Sequence, residues 1–195
     1  PRARKAITMA SLQLIREHFS DAFKAKESDY QADLLRGAVD GFAIIENEIP
    51  LHDDAQAVAA VAHQIQLLRD ARRQGTGSYF AYRMGILSSL AAAVVVPYGV
   101  PYSEADKALL AKMDADLDTA IAKYTFSPKK DSLTYIRTAS QYFDSKRSFF
   151  PDDVRLISDD YSRGKGFRGF LSQAGQSYFQ RAIEAVSDSW FTVFR

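Results

Sequence analysis

The sequence predicts a single all-α domain spanning residues 1–195. Apolar residues recur at helical spacing along the chain, while the alternation typical of strands is nearly absent. The chain is 47% hydrophobic and 25% charged, an ordinary composition for a folded domain with a substantial core. It contains no internal repeat and no linker that would divide it. We therefore expect about eight helices around one buried helix.

The N-terminal part predicts three amphipathic helices. The first covers about 6–25 and the second about 29–46, each with an apolar stripe along one face. Asp53 or Asp54 is expected to cap the third, because an aspartate oxygen accepts hydrogen bonds from the first amides of a helix. The glycine-containing segment 75–77 ends it.

The central helix, predicted over about 78–96, is so apolar that we expect it to be buried. Pro97 and Gly99 close it. Ser88 and Ser89 lie within this apolar run, and we expect each hydroxyl to bond a helix carbonyl one turn earlier.

Four further helices are predicted in the C-terminal part. Ser103 is expected to cap the fifth, and the sixth covers about 131–149. Pro151 suits the first turn of a seventh that ends near Gly164. The last helix covers about 167–194.

Composition excludes several classes of function. The net charge is +1 with both signs mixed along the chain, so we expect no nucleic-acid partner. The absence of cysteine excludes disulfides and thiolate metal sites. No apolar run reaches the roughly 20 residues of a membrane span. The start at Pro1 suggests a processed or trimmed chain.

The central run carries a resemblance to a known superfamily. Residues 85–99 (GILSSLAAAVVVPYG) resemble the pattern G-x-x-x-H-x-x-x-D-x-x-x-P-x-H of the metal-binding helix in the zinc-dependent phospholipase C and single-strand nuclease superfamily. Residues 4–15 (RKAITMASLQLI), 33–40 (DLLRGAVD) and 185–192 (AVSDSWFT) are similar to its opening, second-helix and closing segments. The resemblance implies a phospholipase C-like helical fold.

The resemblance also implies that the zinc cluster is lost. The positions corresponding to ligands hold Arg4, Ser89, Ala93, Gly99, Lys107 and Ala111. Zinc binds imidazole, carboxylate or thiolate, and none of these six residues provides one. We therefore expect no cofactor, no hydrolytic activity and a dry, filled centre, in which Ala93→Asp would cost several kcal/mol.

The leading interpretation is a non-catalytic binding or scaffold subunit that contacts a protein partner or a membrane-associated complex. By resemblance the compartment is periplasmic or secreted, and a peripheral position on a membrane is compatible with it. The alternative is a metal- or ligand-binding protein or hydrolase. It would use an acidic loop around His52 or an aromatic cleft lined by Tyr79, Phe80, Tyr82, Tyr98 and Tyr102.

Two polar segments are weak site candidates. The acidic loop contains Glu46, Glu48, His52, Asp53 and Asp54. Such a loop can bind calcium or zinc, or it can be a solvated connection in which one aspartate caps the next helix. Three cations, Arg163, Lys165 and Arg168, lie among glycines ahead of the last helix. Their segment either cradles an anion or forms a tight turn with solvated charges.

Three aromatic residues close the chain. Trp190 and Phe194 share one helix face, while Phe191 lies about 100° away. We expect at least one of them to be partly exposed and to contribute to an interface. The competing interpretation is that all three close the core against the first helix.

Overall fold

The computed structural model describes residues 2–49, 51–125 and 133–195. These residues form eight α-helices and no β-strand, so the predicted all-α class is confirmed, in one compact domain. The helices are α1 (Arg2–Phe23), α2 (Glu27–Glu48), α3 (Asp54–Arg72), α4 (Ser78–Ala93), α5 (Glu104–Ala120), α6 (Ala139–Lys146), α7 (Phe150–Ser162) and α8 (Leu171–Phe194). Single-turn 3-10 helices occur at Ile121–Lys123 and Gly166–Arg168.

The starts of several helices agree with the expected capping chemistry. The Asp53 side chain accepts a hydrogen bond from the Gln56 amide at 2.8 Å and caps α3. The Ser103 hydroxyl accepts from the Asp106 amide at 3.1 Å and caps α5. Pro151 lies in the first turn of α7. The side chains of Asp53 and Ser103 each bond an amide that has no partner within its helix. Pro151 has no amide hydrogen, so its position leaves no donor without a partner.

Helix α4 is the predicted central helix. Every residue over 84–91 is buried, and the helix packs against α2, α3 and α8. The indole nitrogen of Trp190 in α8 donates a hydrogen bond to the carbonyl oxygen of Met84 at 2.9 Å. Since a buried indole N–H without a partner costs free energy, this bond fixes where α8 crosses α4.

Glycines bring α2 and α4 into direct backbone contact. A Cβ atom on Gly37 would overlap the carbonyl oxygen of Tyr82, and one on Gly85 would overlap that of Leu34. Gly41, one turn beyond Gly37, leaves no room for a Cβ either. The contact therefore depends on glycine because no side chain fits between the two helices.

An aromatic cluster closes the space between α1, α2 and α8. The ring of Phe19, fully buried, lies edge-on to Trp190 and Phe194, each with ring centroids 4.9 Å apart. Phe19 also stacks on Tyr30, at 5.6 Å. These offset and edge-on arrangements are the favourable geometries of aromatic pairs.

The predicted sixth helix over 131–149 is shorter than expected. Residue 131 lies outside the described residues, and 133–138 is not helical; α6 covers only Ala139–Lys146. The prediction is wrong for 133–138 because side chains of α8 accept hydrogen bonds from backbone amides of that segment. The Asp188 carboxylate accepts from the amide of residue 134 at 2.8 Å, and the Thr192 hydroxyl accepts from that of residue 136 at 2.9 Å. These bonds to side chains replace the bonds of a helix.

Tyrosine–aspartate hydrogen bonds connect the helices of the C-terminal half. Tyr142 in α6 donates to Asp188 in α8 at 2.6 Å. Tyr161 in α7 donates to Asp116 in α5 at 2.7 Å. A pair between α8 and α7 joins the Tyr178 hydroxyl to an Asp153 oxygen. The small apolar core beneath α5, α7 and α8 consists of Met113, Ile157, Leu171 and Tyr178.

No helix within the described ranges is long and apolar enough to cross a membrane.

Candidate functional site

Four of the positions singled out by the superfamily pattern meet at one cavity. Arg4, Ser89, Ala93 and Gly99 all line a cavity of about 90 Å³ beside the C-terminal end of α4. Ser89 and Ala93 share one face of α4 because they are one turn apart. Arg4 reaches the cavity from the first turn of α1, and Gly99 reaches it from the loop after α4.

A tight turn places Gly99 at the cavity. The chain reverses at Tyr98, which has a left-handed φ of 61°, and the Gly99 amide donates to the carbonyl oxygen of Val96 at 2.8 Å. A Cβ atom on Gly99 would overlap the carbonyl oxygen of Ala93. The residue at position 99 must therefore be glycine in this turn. This requirement comes from the backbone and is independent of the ligand position in the superfamily pattern.

Helix α5 faces the cavity with a different pair of residues from the one expected. Lys107 and Ala111 are exposed to solvent, so the assignment of these two positions to the site is wrong. Leu110 and Asp114 line the cavity instead. They are also four residues apart, but they lie three positions further along α5, on its inward face. The pattern does not reveal this shift because Leu110 is not a metal ligand, so the pair of Leu110 and Asp114 does not reproduce a pair of ligands.

One carboxylate and one guanidinium belong to the cavity wall. Burial raises the pKa of the Asp114 carboxyl above its usual value, and the charge of Arg4 partly offsets this effect. The Arg4 side chain also donates to the carbonyl oxygen of Val39 in α2 at 3.1 Å. A nearby positive charge and a partly buried negative charge thus occupy the place where the superfamily pattern has metal ligands.

The two serines of α4 differ in their hydrogen bonding. Ser88 donates to the carbonyl oxygen of Gly85 at 2.6 Å, as expected, and also lies 3.2 Å from the Thr8 hydroxyl. The Ser89 hydroxyl has no hydrogen-bond partner among the described residues, although this residue is only 6% exposed. The expectation that Ser89 bonds back to its own helix is therefore wrong, because no carbonyl of the preceding turn accepts a hydrogen bond from it.

The expectation of a dry, filled centre holds for only part of α4. Over 84–91 the helix is buried, but Ala93 is partly exposed and borders open space. Small residues at 92 and 93 leave this space because they do not reach α1 or α5. The environment assumed for Ala93→Asp is therefore wrong, since position 93 faces a cavity whose wall includes Arg4 and Asp114.

The cavity offers too few donors for a metal ion. Among its lining residues only Asp114 carries a side chain of the kind that ligates zinc. Across the residues that the structure describes, no group of three or more histidine, cysteine, aspartate or glutamate side chains is arranged to hold a metal ion. The charged residues of the cavity are Arg4 and Asp114, and most of its other lining residues are apolar.

The acidic loop does not assemble into a site. Glu46 and His52 are exposed, and Glu48 forms an ion pair with Arg83 of α4 at 2.9 Å. The backbone amide of His52 donates to the Gln56 side chain at 2.7 Å, which closes the loop against the first turn of α3.

The two aspartates of the acidic loop have structural partners. Asp53 caps α3, in agreement with the interpretation of this segment as a solvated, capped connection. Asp54 accepts a hydrogen bond from the Tyr102 hydroxyl at 2.6 Å and pairs with Arg147. The carboxylate of Asp54 thereby joins α3 to the loop after α4 and to the end of α6.

The glycine-rich segment before α8 already contains an anion of its own. The amide of Phe170, immediately before α8, donates to the Asp160 carboxylate at 2.6 Å. Arg163, Lys165 and Arg168 are exposed around this turn. The carboxylate of Asp160 lies where a bound anion would be expected, so the arrangement agrees with a tight interhelical turn.

The three C-terminal aromatics separate into one buried and two partly exposed side chains. Trp190 is 0% exposed, which excludes it from the surface of the domain. Phe194 packs on Phe19 but remains partly exposed, and Phe191 is partly exposed and lies edge-on to His18 at 5.3 Å. The expectation that at least one of the three is accessible is met by Phe191 and Phe194.

Around Phe191 lies a group of residues that we call the C-terminal surface: Arg69, Tyr135, Phe191 and Arg195. Arg69 donates to the Tyr135 hydroxyl at 2.8 Å. The Arg195 guanidinium lies 6.0 Å from the Tyr135 ring and 5.7 Å from the Phe191 ring. This group is not evident from the sequence because Tyr135 was expected in a helix, whereas its non-helical segment brings it beside Arg69 of α3.

The five aromatics flanking the central helix do not form one cleft. Tyr79 is 72% exposed, and Phe80 is buried in the core. Tyr82 packs beneath the guanidinium of Arg36. Only Tyr98 and Tyr102 share a cavity, of about 170 Å³, beside the pair formed by Asp54 and Arg147.

Comparison of the chain with models of known families, with curated proteins and with solved structures finds no match.

Proposed function

We propose that this chain is a non-catalytic binding or scaffold domain with a phospholipase C-like fold that lacks the zinc cluster. One observation carries the proposal. Arg4, Ser89, Ala93 and Gly99 come from three separate segments and line a single cavity, as a ligand set would have to. None of the four can bind zinc through its side chain. The positions of these four residues therefore support the resemblance to the superfamily. Their side chains argue against the zinc-dependent hydrolysis of that superfamily.

Electrostatics add a second argument against a metal ion in this cavity. A dication near Asp114 would also lie near the guanidinium of Arg4, which is permanently positive. Repulsion between the two cations therefore opposes metal binding at this place. The charges around the cavity thus disfavour a bound metal ion.

The C-terminal surface is the proposed contact with a protein partner. Arginine, tyrosine and phenylalanine are enriched at protein interfaces, and Arg69, Tyr135, Phe191 and Arg195 present all three kinds of side chain. The guanidinium groups of Arg69 and Arg195 lie against aromatic rings, and Arg69 also donates to the Tyr135 hydroxyl. A partner that presents an acidic side chain would complement them. By the same resemblance, the partner belongs to a periplasmic, secreted or membrane-associated assembly.

Metal analysis tests the non-catalytic assignment. Protein purified without chelator is expected to contain far less than one zinc per chain. A triple variant, Arg4→His with Ser89→His and Ala93→Asp, restores three ligands on the same cavity, and we expect it to bind zinc while Ala93→Asp alone does not. Gly99 is left unchanged because any side chain there would overlap Ala93. Near-stoichiometric zinc in the unaltered protein would contradict the proposal. A folded triple variant with no gain in zinc affinity would contradict the resemblance.

Exchange of charge on the C-terminal surface tests the partner contact. Arg69→Glu combined with Arg195→Glu is expected to abolish recovery of a specific partner from native soluble and membrane fractions, compared with the unaltered chain. Arg73→Glu, an exposed position at the end of the same helix as Arg69, is the matched control and should leave recovery unchanged. Equal recovery with all three proteins would exclude this surface as the contact.

A metal or hydrolytic site at the acidic loop is the alternative, and no contact in the loop favours it. Such a site would require Asp53 and Asp54 to leave the helix cap, the Tyr102 hydroxyl and Arg147.

A further inference from the structure

Two arginines of the C-terminal surface approach the same tyrosine ring. The guanidinium carbons of Arg69 and Arg195 lie 5.6 and 6.0 Å from the centre of the Tyr135 ring. Arg195 is exposed, and Arg69 and Tyr135 are partly buried. Two positive charges are thus gathered at one place on a chain whose net charge is only +1.

The Tyr135 hydroxyl adds a donor of a second kind. Its oxygen accepts a hydrogen bond from Arg69 at 2.8 Å, so its own hydrogen points away from that bond. Within the described ranges no residue accepts this hydrogen. Because hydrogen bonds in a chain polarise one another, the bond from Arg69 also makes the hydroxyl a better donor. The hydroxyl is therefore suited to donate to an anion held by the neighbouring guanidinium groups.

The two guanidinium groups have no carboxylate partner among the residues that the structure describes. Elsewhere in the domain such partners are present, as in the pairs of Arg83 with Glu48 and Arg147 with Asp54. The aromatic rings beside Arg69 and Arg195 leave these charges without a balancing anion. Their free N–H groups are available to an anion from outside the chain.

The aromatic contacts favour a protein partner over a nucleic acid. Binding of single strands depends on open ring faces on which bases stack. Here the Tyr135 and Phe191 rings lie against guanidinium groups, and His18 lies edge-on to Phe191 at 5.3 Å. A planar guanidinium binds a carboxylate through two parallel hydrogen bonds.

We propose that the C-terminal surface binds the carboxylate of an aspartate or glutamate side chain of a protein partner. The Arg195 guanidinium and the Tyr135 hydroxyl donate to this carboxylate, and Arg69 is a positioning residue that holds the hydroxyl. The inference rests on the proposed partner contact and names the group that the contact recognises.

Apolar contact next to the carboxylate strengthens the binding. An ion pair at an exposed site contributes little by itself because water and salt screen it. Phe191 and Phe194 are partly exposed, and the Arg195 guanidinium lies 5.7 Å from the Phe191 ring. An aromatic side chain next to the acidic residue of the partner would pack on these rings.

NMR titration of the intact labelled chain tests the proposal with a defined probe, N-acetyl-glutamyl-phenylalanine amide. We expect saturable shifts of the Tyr135 ring and Arg195 side-chain signals, with a dissociation constant of roughly 1 mM for so few contacts. The glutamine analogue has the same shape without the charge, and it should bind at least about threefold more weakly. Inorganic phosphate at equal ionic strength should compete less well than the glutamate probe.

Three variants separate the roles of the side chains. Tyr135→Phe keeps the ring and should weaken binding of the glutamate probe about threefold to tenfold, the range of one hydrogen bond. Arg69→Gln keeps a donor for the Tyr135 hydroxyl and should bind more tightly than Arg69→Met, which removes it. Arg73→Gln removes an exposed charge outside the C-terminal surface and should leave binding unchanged.

Four outcomes would overturn carboxylate recognition. They are an absence of shifts at Tyr135 and Arg195, equal binding of the glutamine analogue, full binding by Tyr135→Phe, and tighter binding of phosphate than of the glutamate probe. If a native partner still depends on Arg69 and Arg195 in any of these cases, the contact stands and only the recognised group is wrong. If the probes discriminate while the charge-exchange variant recovers the partner normally, the carboxylate site stands and the partner contact is wrong.

Discussion

Helices in this domain contact one another in two different ways, through backbone atoms and through polar side chains. Helices α2 and α4 touch through backbone atoms at Gly37 and Gly85, with no side chain between them. Helices α5 to α8 are held apart by side chains and connected by tyrosine hydroxyls, as in the pairs of Tyr142 with Asp188 and Tyr161 with Asp116. The first contact has no free volume, whereas open space borders the second.

The comparison explains where the candidate site lies. Close packing of α2 on α4 buries the middle of α4, over 84–91, whereas the C-terminal end of the helix borders a cavity. On that end, α5 stays at a distance that leaves space beside Ala93. A glycine contact tolerates no added atom, whereas the cavity beside Ala93 leaves room for one.

The largest effect is expected at the glycine contact. Gly85→Ala places a methyl group on the carbonyl oxygen of Leu34, so the two helices must move apart, and we expect a loss of about 3 kcal/mol in the free energy of unfolding. Ala43→Leu, an exposed position of α2, adds more volume and should change stability by less than about 0.5 kcal/mol. Denaturant unfolding measures both. Equal stability of Gly85→Ala and the parent would mean that the contact is looser than described.

A smaller but clear effect is expected at the most buried tyrosine pair. Tyr142→Phe removes the hydroxyl that bonds Asp188 and leaves that buried carboxylate with only the amide of residue 134, at a cost of about 1–3 kcal/mol. Tyr82→Phe is the matched control, since its hydroxyl lies 3.4 Å from Asp40 at an exposed site. Thermal and chemical unfolding of the two variants should separate them. If both lose the same stability, burial does not determine the strength of these pairs.

Tyr161→Phe tests the same type of bond where it is less buried. The Asp116 carboxylate and the Tyr161 hydroxyl are both partly accessible, so water replaces the lost bond in the variant. We expect a cost of about 0.5–1.5 kcal/mol, below that of Tyr142→Phe. The double variant with Tyr142→Phe should show the sum of the two costs, because the pairs share no partner. A large deviation from additivity would indicate that α6 and α7 respond together.

The smallest effect is a dependence on pH at the cavity. Burial raises the pKa of Asp114 above the unfolded value of 3.8, so the folded chain binds the proton more tightly than the unfolded chain. Asp114 therefore adds stability as the pH falls through the raised pKa toward 3.8, and this contribution is lost as the pH rises. The stability of the parent relative to Asp114→Asn should increase on going from pH 7 to about pH 4. A constant difference would show that Asp114 titrates normally.

Much of the domain follows from local chemistry that a sequence displays directly. The capped starts of α3 and α5, the proline at the start of α7 and the burial of α4 all depend on residues within a few positions of each other. The patterns of residues 4–15 and 85–99 also identified four positions that share a cavity. Periodicity and capping are properties of a short segment, so these expectations needed no knowledge of how the helices pack.

The remaining features depend on residues far apart in the chain, and only the tertiary structure decided them. Residues 133–138 are not helical because Asp188 and Thr192, more than fifty positions away, accept hydrogen bonds from the amides of residues 134 and 136. Asp114 rather than Lys107 faces the cavity because of how α5 is rotated against α1 and α4. The sequence by itself determined where most of the helices form and which face of α4 borders the cavity. It could not determine what lies opposite that face, because the rotation and separation of packed helices result from contacts along their whole length.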